Sequence, residues 1–306
     1  MSWGILGWGW VARNHVAPAL GTALIAVCDA EEHLDVFLAT PGLEHVYVAT
    51  PNALHEQHVI ACAAGGHHVL CEKPTALSVA SAQRMAEACL AAGVRFATAF
   101  NQRFHPAHVK LRALVADGVL GTVTQARVHY ACSLPAWWEQ GDWHLDAAIA
   151  GGGAVFDLAP HGIDLVGVLL DALPEDIVAL HQRRVHVEHS VEDGGVVTVR
   201  YDDGALGVVQ VAYNCPETLP RRTLELVGTA GMAIARDTMG QTPGGTLELV
   251  DATDGSRRAV AFDGAGDPFR AQLTAFASDQ WPWPVERDLA VMRALEAATP
   301  PQAAIT

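Results

Sequence analysis

Short apolar runs separated by stretches of helical spacing fill the first hundred or so residues. Runs at 3–6, 24–28, 45–49, 67–71 and 95–99 read as buried strands, and 11–20, 54–64 and 79–92 repeat their apolar positions at helical intervals. Alternation of this kind predicts a doubly wound parallel sheet, because a parallel strand pair needs a crossover between its members. Past Gly121 the rhythm changes. Segments 123–130, 195–201, 205–213 and 222–227 follow one another with the turn signals Asp202-Asp203-Gly204 and Gly228-Thr229-Ala230-Gly231 between them. These predict a large, mostly antiparallel sheet, interrupted by one long helix at 154–170 and closed by a helix at 288–298. The break falls at Asp117–Gly121, after a helix begun near Ala107. The expected architecture is therefore α/β: a Rossmann-type doubly wound domain over 1–118, followed by an α+β domain over 119–306.

Composition narrows the class. Half of the 306 residues are hydrophobic and 17% are charged, as in a globular enzyme. With 34 acidic against 19 basic residues and a net charge of −15, neither nucleic acid nor an anionic membrane is an expected partner. Cys28, Cys62, Cys71, Cys89, Cys132 and Cys215 are scattered without a C-x-x-C pair and read as small buried hydrophobes in a reducing compartment. The start lacks a basic region followed by a long apolar stretch, and no run is expected to span a membrane. A cytoplasmic location is expected.

Three places carry candidate chemistry. Gly7, Gly9 and Ala12 form G-x-G-x-x-A directly after the first strand: Gly7 for a tight turn, Gly9 for backbone approach to a pyrophosphate, Ala12 for close helix packing. Asp29 ends the second strand, where a carboxylate accepts ribose hydroxyls and repels a 2′-phosphate, so NAD is expected in preference to NADP. Asp29 also suits a helix cap ahead of Ala30-Glu31-Glu32-His33. Thr50-Pro51-Asn52 and Glu72-Lys73-Pro74 each end an apolar strand, at the edge where parallel sheets bind ligands. A charged Lys73 there can reach both a cofactor ribose and a substrate oxygen, and His55 follows the cofactor-side turn.

The third place is 151–164. Asp157, His161 and Asp164 stand at i, i+4 and i+7 on one face of an apolar helix, an arrangement costly to bury without purpose. His161 is expected to carry a proton near neutral pH, with Asp157 fixing its tautomer and raising its basicity. A structural His–Asp pair is the competing reading. No clear ligand set accompanies these residues, so no metal is expected.

Taken together, Gly7–Ala12, Ala49-Thr50-Pro51-Asn52, Glu72-Lys73-Pro74, the run 101–106 and the Gly151–Asp164 pattern resemble the Gfo/Idh/MocA oxidoreductase family, in matching order over nearly the whole chain. The resemblance implies a Rossmann domain joined to an open-faced sheet domain that builds a homodimer or homotetramer, and NAD- or NADP-linked chemistry on a sugar, inositol or related polyol. It implies Lys73, His161 and Asp157 as the catalytic set. Trp8, Trp10, Val11, Pro51, Asn52 and Glu72 would contact the cofactor, and Asn101 and Arg103 would line the junction between cofactor and substrate. A redox-assisted lyase or glycosidase that retains NAD, and a non-catalytic NAD or sugar sensor, remain alternatives. Only about fifteen residues, 30–44, separate Asp29 from the next strand, so an edge strand and a helix usual in the family beside the adenosine are missing. Trp137, Trp138 and Trp143, with His144, precede the glycine run, and they suit either stacking on a sugar or anchoring a subunit interface. Trp143 is counted among the substrate contacts.

Overall fold

The computed structural model describes residues 1–29, 33–135, 137–138, 142–278 and 280–299. Residues 30–32, which the helix-cap reading of Asp29 involves, lie outside these. Five parallel strands form the first sheet: β1 (Trp3–Leu6), β2 (Leu24–Cys28), β3 (His45–Val48), β4 (His68–Cys71) and β5 (Phe96–Thr98), in the order β2-β1-β3-β4-β5. Its central strands are apolar throughout because both faces are covered: Val46, Tyr47, Val48, Val69, Leu70 and Cys71 are fully buried. A π-helical turn (Ala12–Val16) leads into α1 (Ala17–Leu20), and α3 (His55–Ala64) and α4 (Val79–Ala91) complete the layers. Among the described residues of the shortened segment the short helix α2 (Leu34–Leu38) lies beside the edge strand β2, whose Ile25 and Val27 are nearly half exposed.

The second sheet has eight strands in the order β13-β12-β11-β10-β6-β9-β8-β7. They are β6 (Val123–Ala131), β7 (Pro174–Gln182), β8 (Gly194–Tyr201), β9 (Leu206–Ala212), β10 (Arg222–Gly228), β11 (Gly231–Arg236), β12 (Thr246–Asp251) and β13 (Arg257–Ala259). Its neighbours pair antiparallel except β6 with β9. One face is covered by α7 (Ala154–Leu170), which is buried along almost its whole length, as expected of a helix apolar all round. Ala147–Leu170 has the length and hydropathy of a membrane span, against the expectation of none, yet 89% of that window is inside the fold. The opposite face leaves Val178, Leu180, Leu206 and Val208 exposed.

The last two helices return to the first sheet, and the second of them reaches both cores. Helix α8 (Pro268–Ala277) packs Phe269, Leu273 and Phe276 against Trp3, Ile5, Val16 and Tyr47 of the first sheet. Helix α9 (Val285–Ala298) sends Met292 and Leu295 into the first sheet's core and Val291, Ala294 and Ala298 into the second's. Helix α5 (Pro106–Ala116) contributes Leu111 to the second core.

Candidate active site

The carboxyl ends of β1, β3, β4 and β5 open onto one cleft of about 1000 Å³, whose far wall is the start of α7 and the ends of β6, β9 and β10. Gly7 makes the first turn at φ +95°; a Cβ there would lie 2.5 Å from the Ala49 carbonyl, so only glycine fits. Its amide donates to the Cys28 carbonyl at 2.7 Å, and the Trp8 amide donates to Asp29 Oδ1 at 2.7 Å. A Cβ built on Gly9 meets nothing within 4 Å, so the backbone beside it faces open cleft, which is what a pyrophosphate needs. Ala12, fully buried, lets the helix close on the sheet. These residues fit a dinucleotide. Trp8, Trp10, Val11, Asp29, Thr50, Pro51, Asn52, Glu72, Lys73, Asn101, Trp143, Asp157 and His161 all line the cleft with them.

At the centre the Lys73 ammonium donates to Asp157 Oδ1 and, at 3.2 Å, to the Asp157 carbonyl. Tyr213, at the end of β9, donates its hydroxyl to the other carboxylate oxygen at 2.7 Å. Burial pushes the Asp157 carboxyl up, but the Lys73 charge and these hydrogen bonds outweigh it and hold the group at about 2. Glu72 anchors the turn beneath: Tyr47 donates to Oε1 at 2.6 Å and the Lys73 amide to Oε2 at 3.0 Å. Burial raises the Glu72 carboxyl, against the opposing pull of Lys73.

His161 departs from expectation. Asp157 spends both oxygens on Lys73 and Tyr213, and among the described residues no hydrogen bond joins it to the imidazole. Nδ1 of His161 is buried without a partner, and the ring stands edge-on between Tyr130 at 5.6 Å and Phe100 at 6.5 Å. Burial and then the neighbouring Lys73 charge push it down to about 3, despite the pull of Asp157. The ring is thus neutral near pH 7, and Asp157 does not fix its tautomer.

Comparison with known proteins bears on this geometry. The NAD-binding Rossmann model of the Gfo/Idh/MocA oxidoreductase family matches residues 24–100, and a Gfo/Idh/MocA C-terminal domain model matches residues 108–234. A 1,5-anhydro-D-fructose reductase of Ensifer adhaerens is 30% identical over 296 residues, covering 90% of this chain and 86% of that protein. This chain belongs to the Gfo/Idh/MocA family. As a member it is an NAD(P)-binding oxidoreductase. A D-xylose 1-dehydrogenase (NADP(+)) of Haloferax volcanii is 32% identical over 79% of this chain and 71% of its own length. The structure of GenD2 from gentamicin A biosynthesis, in complex with NAD, superposes with a TM-score of 0.78 at 28% identity, covering 97% of this chain and 93% of that one.

Two residues assigned to the ligand, Arg103 by family resemblance and His55 by its place after the cofactor-side turn, are elsewhere. The Arg103 side chain, in the turn after β5, has no exposure; it turns inward and forks onto Asp164 at 2.6 and 2.8 Å and Asp288 at 2.6 Å, with Phe100 and Trp283 each 4.9 Å from its guanidinium. Two buried carboxylates, from α7 and α9, outcompete the cleft for it. Asp164 accordingly faces Arg103 rather than joining Asp157. Replacing Arg103 by lysine keeps the charge but removes the fork, and is expected to cost on the order of 2 kcal/mol, about 5 °C in Tm, with KM unchanged. A raised KM at normal Tm would return Arg103 to the ligand. His55 is fully buried, with Nε2 2.9 Å from the Thr50 carbonyl and Nδ1 3.1 Å from that of Pro74, so it clasps the two turns and does not line the cleft.

The cleft also gathers residues not anticipated from the sequence: Tyr130, Cys132, Tyr213 and Arg222. Tyr213 closes one predicted strand and Arg222 opens another, and neither carries a local signal. The tryptophan segment belongs to the site. His144 is stacked between Trp143 at 3.7 Å and Trp138 at 4.0 Å, and Trp137 stacks on Trp10 of the glycine turn at 5.7 Å. Elsewhere, His186, Glu188 and His189 bring ligand atoms within 4.8 Å of one another, but none of the three lines the cleft.

Proposed function

We propose that this oxidoreductase transfers hydride between NAD and a hydroxyl-bearing carbon of a sugar or cyclic polyol. The observation that carries this reading is the Lys73 ammonium, held on Asp157 in the same cleft onto which Gly9 opens. A bound nicotinamide supplies the hydride acceptor. Lys73 stabilises the charge that develops on the substrate oxygen, and Asp157, ionised at ordinary pH, holds the ammonium aimed at it. His161, neutral and lining the same cleft, is the group placed to exchange a proton with that oxygen. The stacked Trp138, His144 and Trp143 supply flat faces for the C–H side of a sugar ring. The exposed apolar residues on the open face of the second sheet support assembly of copies through it, as a homodimer or homotetramer.

The NAD preference rests on Asp29, which lines the cleft beside the glycine turn. Titration by tryptophan fluorescence is expected to show NAD binding at least about tenfold more tightly than NADP, the order expected of one repulsion between a carboxylate and a phosphate. A panel of sugars and polyols should then reduce bound NAD, read at the reduced-nicotinamide absorbance band. NADP binding as tightly as NAD would overturn the cofactor assignment. Product formed with no net change at that band would replace the dehydrogenase by a redox-neutral reaction.

A further inference from the structure

The substrate side of the cleft contains a guanidinium with nothing to hold. Arg222 opens β10 opposite Tyr130 of β6, and the next pairs on the same face are Leu224 with Val128 and Leu226 with Ala126. Directly opposed residues of antiparallel strands share a face, so Arg222 lies on the core-covered face, at the end where that face runs out into the cleft. Its neighbour Tyr130 stands edge-on to His161, which puts Arg222 one residue away from the proposed chemistry.

Every cleft carboxylate already has a partner. Asp157 holds Lys73 and Tyr213, Glu217 pairs with Arg221 at 2.9 Å, Asp142 holds His144, Asp29 accepts from the Trp8 amide, and Glu72 accepts from Tyr47. Arg222 has none: among the described residues nothing accepts a hydrogen bond from its guanidinium, and its Nε is buried without a partner. A buried donor left unmade is costly, so a group that accepts from this guanidinium gains more than one that meets a solvated side chain. The guanidinium is also held in place. It packs against Gly240, where an added Cβ would fall 2.7 Å from Nη1, and the Gly240 carbonyl is in turn fixed by the amides of Asn101 at 3.1 Å and Gln102 at 2.5 Å.

We propose that Arg222 is the specificity-determining residue for an acidic substrate: a sugar or polyol bearing one carboxylate remote from the carbon that exchanges hydride. This rests on the reading of the cleft as a sugar or polyol site and names the substrate class within it. One rigid planar guanidinium matches one planar carboxylate through paired hydrogen bonds. A phosphate dianion would need a second cation, and Lys73 is already neutralised by Asp157.

The test uses the full chain loaded with NAD and measures binding by tryptophan fluorescence, with D-glucuronate and D-galacturonate set against D-glucose, D-galactose and D-glucose 6-phosphate. The expected result is that the uronates bind about 10- to 100-fold more tightly than the neutral sugars. Arg222→Gln is expected to abolish that difference while leaving the neutral-sugar affinity, NAD affinity and Tm in place. Equal binding of acid and neutral sugars, tighter binding of the phosphate, or equal weakening of both in Arg222→Gln would each overturn the proposal. NAD-linked turnover of neutral sugars without any acid preference removes this inference and leaves the dehydrogenase reading standing. Uronates bound through Arg222 with no nicotinamide reduction leave the anion site standing and remove the dehydrogenase reading.

Discussion

Replacing Lys73 by methionine is expected to lower kcat by about 10³, with a much smaller change in NAD affinity, because the ammonium acts on charge that exists only as hydride moves. The methionine keeps the length of the stem, so packing beside Glu72 is retained. The charge removed is the one that holds Asp157 at about 2, and without it burial pushes that carboxyl back up. Asp157→Asn should therefore share most of the same effect, and the double variant should fall well short of the product of the two, since both act on one oxygen. A merely structural ion pair predicts otherwise: a lowered Tm with near-normal turnover per folded molecule. Turnover and melting measured on the same preparations separate the two, and a near-normal kcat in Lys73→Met would sink the mechanism.

Acidification is expected to unfold the protein between about pH 6 and pH 4, chiefly through its buried histidines. His55, His108 and His161 are buried, and burial holds them at about 4, 3 and 3, below the ordinary 6.5. The folded state keeps these rings neutral while the unfolded chain takes up their protons below pH 6.5. Stability is therefore present in full above that pH and is lost as pH falls toward the folded values. At pH 4 each ring costs about 3 kcal/mol at 1.36 kcal/mol per unit, and three together approach the roughly 5–15 kcal/mol that holds a domain folded. Asp157, held at about 2, adds its own destabilisation only below its ordinary 3.8. Calorimetric melting at pH 7.5, 5.5 and 4.5 checks this. A Tm unchanged down to pH 4.5 would show that the rings are not neutral in the folded state. Among the described residues the His108 ring bonds to the Gln102 carbonyl and the Thr238 hydroxyl, outside the cleft, so His108→Gln should flatten the dependence without touching the site.

Much of the scaffold was legible because its elements are local in origin. The parallel strands read as apolar runs because both faces are covered, and helix α7 occupies the expected 154–170 although Pro160 lies inside it, because its apolar surface is buried almost all round. Strand β7 was harder to see: it opens Pro-Glu-Asp, and its apolar Val178 and Leu180 face outward, so the usual inward alternation has no core to match. Helix α8 starts at a capping Asp267 followed by proline, a start signal present in the sequence although no helix was expected there.

The sequence by itself determined where the chain stops being apolar, and that was enough to bring Gly7, Asp29, Asn52 and Lys73 to one cleft, since strand ends in a parallel sheet share an edge whatever else happens; Asp157 and His161 reach it only through the docking of α7. Which way a side chain turns at that edge was decided only by the tertiary structure. Asn101 and Arg103 leave the same turn after β5, yet Asn101 lines the cleft while Arg103 is drawn inward, because Asp164 and Asp288 arrive from helices 61 and 185 residues further along the chain. Asp157 pairs with Lys73 and Tyr213, 84 and 56 residues away, in preference to its helical neighbour His161. Spacing along one helix sets which groups are near one another; the charges and hydroxyls delivered by other elements set which of them bond, since a buried charge takes the strongest partner within reach.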